Sequence, residues 1–148
     1  MGLISAIAAT ASGLQAQRVR MDVVSSNVAN IDTTRTPGGD GPYQRQVVRF
    51  SAAGAGTPFA SLMARFGNQP ANGVVLTQVD TDQVTPNRVV YDPSNPDADA
   101  DGYVELPNVD LVTEMTDLTS ANRSYQANVT VLNAVKEMAL RALDIANR

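Results

Sequence analysis

The chain has 148 residues, enough for one domain with its own core, or for one small unit carrying long helices. Apolar residues make up 43% but aromatics only 5%, with no Trp, so a core must rest on Val, Leu, Ile, Ala and Met. Fifteen Asp and Glu outweigh eleven Lys and Arg, which argues against nucleic acid as a partner, and the absence of Cys and His removes disulfides, Cys-His and Ser-His catalysis and the usual zinc sites.

The opening stretch, MGLISAIAATASGLQAQR, has no basic residue ahead of its apolar part and is interrupted by Gly13, Gln15 and Gln17, so no cleavable signal peptide is expected. No apolar run approaches the roughly eighteen residues of a membrane span, and no direct membrane insertion is expected. Ile7, Leu14, Met21 and Val28 recur at a spacing of seven, flanked by Ile4, Ala11 and Val24, and predict a helix from Leu3 to Ile31. Its composition is weak for that state: Gly13 is internal, and Val23, Val24, Ser25, Ser26 and Asn27 follow one another near its end. Such a helix needs a partner.

From Thr36 to Pro107 the chain holds all eight prolines and most of its glycines, and reads as a loop-rich β region. Candidate strands, rich in Val and Tyr, are Tyr43–Phe50, Val74–Val79, Arg88–Tyr91 and Tyr103–Leu106. The stretch Ser51–Gly73, containing SAAGAGTP, reads as a flexible loop or insertion.

Asp110 then precedes the strongest pattern in the chain and suits an N-cap. Leu111, Leu118, Tyr125, Leu132, Ala139 and Ala146 are again seven apart, with Met115, Val129 and Leu143 in a second row and Ala121, Val135 and Ala142 adjoining. They predict one helix from Leu111 to Arg148, roughly 57 Å long. Two stripes of period seven, one at each end, are each a narrow seam for which the other is the obvious partner. The expected fold is α+β: long terminal helices forming an antiparallel coiled coil, with a small β domain between them. The corresponding divisions are an N-terminal helical segment 1–35, a β-rich outer domain 36–107 and a C-terminal helix 108–148. The seam is assigned to Ile7, Leu14, Met21 and Val28 against Leu118, Tyr125, Leu132 and Ala139.

Chemistry has few footholds. Asp97, Asp99 and Asp101 followed by Gly102 match the start of a calcium loop, but its twelfth position falls on Asn108, where a bidentate Glu is needed. A solvated acidic turn is the simpler reading, and a secreted, calcium-stabilised binding module using the Asp97–Asp101 turn is the alternative function. Asp80, Asp82, Asp92 and Glu105 lie where Asp and Glu serve turns, and no pair stands out for hydrolysis. Neither catalysis, a metal nor a cofactor is expected. The sequons at Asn122 and Asn128 fall within a helix and are read as chance. Asn27, Asn30, Asn122 and Asn128 lie close to the seams, either as amides that fix register or as helix-face and C-cap residues.

The run Ser25-Ser-Asn27-Val-Ala29-Asn30-Ile-Asp-Thr33 resembles the S-x-N-x-A-N-x-x-T signature of flagellar rod and hook proteins. Gly41-Pro42-Tyr43, Val89-Val90-Tyr91-Asp92-Pro93, Gly102-Tyr103-Val104, Pro107-Asn108-Val109-Asp110 and Arg123-Ser-Tyr125-Gln-Ala-Asn128 follow in the order seen in the flagellar basal-body rod family. Arg35 to Gly41 intervenes where many siblings place Gly-Tyr-Lys, which is similar to the proximal-rod branch. The resemblance implies a structural, non-enzymatic subunit, its termini coiled on the inner side of a hollow helical rod that transmits torque. It also implies partners among copies of itself and other rod subunits, a place in the basal body within the periplasmic space, and passage through the flagellar type III export apparatus without cleavage.

Overall fold

The computed structural model describes residues 3–38, 41–53 and 73–146. Helix α1 runs Leu3–Ala29, strands follow at Gln46–Ala52 (β1), Val74–Thr81 (β2), Arg88–Tyr91 (β3) and Tyr103–Leu106 (β4), and helix α2 spans Leu111–Ala146. The fold is α+β: two long helices with short antiparallel strands between them. Most of the stretch expected as a flexible insertion, and the side chains of Ile4 and Ala146, lie outside the described residues.

Each helix end has a local cause. At the close of α1 the carbonyl of Ser26 accepts both the backbone N–H of Asn30 (3.1 Å) and its side-chain amide (2.8 Å), while Thr33 Oγ1 donates to Asn30 Oδ1 at 3.2 Å. The last turn is thereby satisfied by a side chain that also bends the chain away. At the start of α2, Asp110 Oδ2 accepts from the backbone N–H of Thr113 (3.1 Å) and from its hydroxyl (2.6 Å), as the sequence predicts for an N-cap.

α1 and α2 pack on one another and run antiparallel, since Asn27 meets Glu114 at one end and Gly13 faces Asn128 further along. The buried row of α2 is Glu114, Ala121 and Val135, with Asn128 half-buried at the missing step of seven. On α1 the buried residues are Ala16, Val23, Val24 and Asn27. Met115 and Leu143, which the sequence pattern adds to the stripe of α2, are 54% and 60% exposed. Helical periodicity leaves the facing edge of a broad stripe undecided; here the partners of Glu114 and the small Ala121 turn the neighbouring row inward. Gly13 lowers helix propensity, but a Cβ there would lie 3.1 Å from Asn128 Nδ2, so the glycine is where the second helix comes close.

The strands form two separate antiparallel ribbons. β1 and β2 pair from Gln46↔Thr81 to Ala52↔Val74, with an irregularity between Arg49 and Phe50. β3 and β4 pair from Arg88↔Leu106 to Tyr91↔Tyr103, at the bounds the sequence predicts. β1 begins three residues later than predicted because Tyr43, Gln44 and Arg45 bond elsewhere: Tyr43 N–H to the Thr33 carbonyl (3.0 Å), Gln44 to the Asn87 side chain (3.0 Å), and Arg45 N–H to Asn108 (2.7 Å). The first ribbon lies on α1. Gly73 leads into β2 at φ +134°, and a Cβ there would approach Ser12 Oγ to 2.5 Å, so the close seating of ribbon on helix needs glycine at this position.

Candidate functional site

Where α1 ends, β1 begins and α2 starts, polar side chains form a buried junction. Asn27, 1% exposed on the last turns of α1, uses its whole amide. Oδ1 accepts from Tyr43 Oη and from the Gln46 backbone N–H, each at 2.9 Å; Nδ2 donates to the Gln46 carbonyl at 2.9 Å and to Glu114 Oε2 at 3.1 Å. A side-chain amide that pairs with both backbone groups of one residue does the work of an adjoining strand. Asn27 therefore closes the open edge of β1 at Gln46.

Glu114 is fully buried, and its other oxygen, Oε1, accepts from Arg45 Nε at 2.6 Å. Arg45 Nη2 also reaches towards Asp117 Oδ2 at 3.6 Å. The carboxylate thus joins all three elements: α2 supplies it, the segment entering β1 neutralises it, and α1 hydrogen-bonds it. A buried charge is tolerable only when paired and bonded in this way.

Asn108 repeats the device beneath the ribbon. Asp82 N–H donates to the Arg45 carbonyl at 2.8 Å, but the reciprocal ladder bond is replaced by an inserted amide: Asn108 Oδ1 accepts from Arg45 N–H and Nδ2 donates to the Asp82 carbonyl at 2.8 Å. Nδ2 also reaches the Thr85 carbonyl at 3.1 Å. The strand-to-helix linker, buried at Pro107, Asn108 and Val109, is in this way sewn to the end of the first ribbon.

The far end of that ribbon is held by α1 as well. Val74 N–H donates to Ser12 Oγ at 3.0 Å, and Arg20 lies 5.2 Å from the centre of the Phe50 ring. Ser12 and Asn27 are about 22 Å apart along a helix, and Gln46 to Ala52 spans about 20 Å of strand, so the two fixings match in length. They act on opposite strands, which lays the ribbon diagonally across the helix.

The acidic turn is built differently. Asp97 accepts from Thr34 Oγ1 at 2.7 Å and pairs with Arg35 Nη2 at 2.9 Å, while Asp99 Oδ1 accepts the backbone N–H groups of Asp101 (3.0 Å) and Tyr103 (2.8 Å). With Gly102 at φ +82°, these bonds shape the turn between β3 and β4. Among the described residues no three Asp, Glu, His or Cys gather where they could hold a metal ion.

The seam residues named from the sequence sit on the flanks of the helix contact. Ile7 is exposed at 36%, and Leu14, Met21, Val28, Leu118, Tyr125, Leu132 and Ala139 are half-buried. Of the signature, Asn27 is buried in the junction, Asn30 and Thr33 form the helix end, Tyr125 and Asn128 are half-buried on α2, and Ser25 and Ala29 are exposed. Sequence reasoning missed Tyr43, Gln46 and Glu114 as partners of Asn27, Arg45 as the partner of Glu114, and Asn108 as the link between Arg45 and Asp82. One signal was available: Glu114, Ala121, Asn128 and Val135 are seven apart, so an acid and an amide share a row with small apolar residues.

The flagella basal body rod protein model matches residues 7–35, and the model for the C-terminal part of flagellar basal body rod FlgEFG proteins matches residues 100–145. These segments hold α1 with its signature and α2 with the approach to it, which defines a flagellar rod protein built on terminal helices. The chain is 50% identical to the flagellar basal-body rod protein FlgC of Bacillus subtilis, covering 92% of this chain and 93% of that one. It is 45% identical to FlgC of Borreliella burgdorferi and 41% to FlgC of Salmonella typhimurium, in both cases over 98% of either chain. The chain belongs to the FlgC family of flagellar basal-body rod proteins. It is a structural subunit of the rod in the basal body and not an enzyme, and no finding supports the calcium-module alternative.

Proposed function

We propose that the subunit polymerises in the proximal rod with copies of itself and with other rod proteins, its α1–α2 pair wound as a left-handed coiled coil in the inner wall and its ribbons outside. Torque then passes through axial helix packing. The observation that carries this reading is apolar exposure along α2: Val112, Met115 and Met138 are 54% to 74% exposed beside the contact with α1, and Leu140, Leu143 and Ile145 are 53% to 76% exposed past the level of Leu3, where the described part of α1 begins. Apolar surface of that extent on a single helix calls for cover from neighbouring subunits. Contacts between different faces of like subunits propagate a helical tube when the rotation between neighbours does not close a ring. Ile7, Leu14, Met21 and Val28, with Leu118, Tyr125, Leu132 and Ala139, line the flanks where such neighbours meet the pair. No helix among the described residues is long and apolar enough to cross a membrane; the route to the periplasmic rod is the flagellar type III export apparatus, without cleavage.

Basal bodies purified from cells carrying Leu132→Asp, Met138→Asp or Glu137→Ala test the reading. Leu132→Asp puts a carboxylate into the flank of the helix pair and Met138→Asp one onto the outer apolar surface; both subunits should be exported yet absent from basal bodies, leaving cells non-motile. Glu137→Ala should incorporate normally. Normal incorporation of Met138→Asp would mean that this surface is not buried in the rod.

A further inference from the structure

We propose that the Asn27–Glu114–Arg45 junction is a register lock: it selects one of several alignments of α1 against α2 that the apolar seam by itself cannot tell apart. The seam is degenerate by its own repeat. Residues at spacing seven are of like kind both in the buried rows, Ala16 and Val23 on α1 and Ala121 and Val135 on α2, and on the half-buried flanks, where Leu118, Tyr125 and Leu132 follow one another on α2 and Leu14, Met21 and Val28 on α1. The facing positions Gly13, Ala16 and Ala121 are small. Sliding one helix by a heptad, about 10 Å, exchanges like for like along most of the contact.

The junction does not repeat. Asn27 has four hydrogen bonds to three different residues, and Glu114 has one oxygen on Arg45 and the other on Asn27. A slip in either direction takes Glu114 from both partners at once. In one direction Ala121 arrives opposite Asn27. In the other, Glu114 arrives opposite Arg20, which must leave Phe50 to meet it, while Arg45 loses its carboxylate and the Asn27 amide, still bonded to Gln46 and Tyr43, is one acceptor short. Buried polar groups add little net stability over apolar ones, but a misaligned arrangement bears the full penalty of their desolvation, so their effect is to raise the wrong registers. Since the same side chains hold the Gln46 edge of β1, choosing the register also sets where the ribbon sits on α1.

Disulfide trapping in the full-length subunit reads register directly, because the chain has no cysteine of its own. Gly13→Cys is combined in turn with Asn128→Cys, Ala121→Cys and Val135→Cys, and the pairs are oxidised in dilute solution. In the otherwise unchanged protein, and with Glu114→Gln, which keeps the bond to Asn27, only the 13–128 pair should close. In an apolar background, Asn27→Leu with Arg45→Met and Glu114→Leu, the helical circular dichroism should persist while the cross-link divides between 13–128 and the pairs one heptad away. Moving the acid by one heptad, Glu114→Leu with Ala121→Glu, should shift the cross-link towards 13–135. Closure confined to 13–128 in a helical apolar variant would overturn the proposal. So would loss of the helical signal in both altered backgrounds, which would make the junction a source of stability alone.

Discussion

At the scale of single residues, the decisive group is a carboxylate with no access to water. Glu114 has a cation on one oxygen and an amide on the other, and its burial is tolerable only because both are present. Truncation by Glu114→Ala removes the charge but leaves the Asn27 amide short of an acceptor and the Arg45 guanidinium, itself largely covered, without its main partner. The loss should be about 3 kcal/mol, or roughly 10 °C in Tm for a chain of this size. Thermal melts of Glu114→Ala and of Arg45→Met with Glu114→Leu separate pairing from packing: the apolar double variant should recover most of the loss. A Glu114→Ala melt within a degree of the parent would show that the pair is not buried in solution.

At the scale of elements, the start of α2 is secured by a cap that titrates. The hydroxyl of Thr113 first, then its backbone N–H, hold the Asp110 carboxyl below its ordinary value, partly opposed by desolvation. A carboxyl whose folded value lies below its unfolded one contributes stability that is complete above the unfolded value, about pH 4, and is lost as pH falls through the folded value. Asp82 is shifted the same way, chiefly by the hydroxyl and then the backbone N–H of Thr85. Asp110→Asn keeps a capping oxygen but cannot titrate. Its Tm should therefore lie below that of the parent at pH 7, and the gap should narrow as pH drops below about 4. A gap that does not change between pH 7 and pH 3 would remove the cap from the acid sensitivity of the subunit.

At the scale of the whole molecule, fixation is uneven. Seven-residue stripes at both ends predict helices that fray along their length once neighbours are removed, yet the structure concentrates its burial at one end of the pair. Val23, Val24 and Asn27 on α1, Val104, Pro107, Asn108 and Val109 before α2, and Glu114 on it lie towards the junction; Ala16 and Ala121 carry the burial on to the middle of the pair, with only Val135 buried towards the other end among the described residues. Amide exchange in the dilute subunit should accordingly show slow exchange for residues 16–30 and 111–125. Fast exchange is expected for 3–12 and 130–146, where isolated helix is marginal. Uniform protection over both helices would indicate a self-sufficient bundle and weaken the case for assembly-dependent order.

What the sequence determined alone is what periodicity, turn chemistry and motif can carry. Both helices, the capping role of Asp110, the bounds of β3 and β4 and the family itself were legible there, because each depends on residues close together or at regular spacing. The tertiary structure decided which face of α2 is inside, turning Met115 and Leu143 out and drawing Glu114 in. It also decided the use of Asn27, which the sequence left between register residue and helix-face residue, and the late start of β1. The reason is common to all three. Each rests on hydrogen bonds between residues 19 to 87 positions apart, Asn27 with Gln46 and Glu114, Arg45 with Asn108 and Glu114. Such a pairing leaves no local trace in the chain, and only the folded arrangement brings the buried acid to its base.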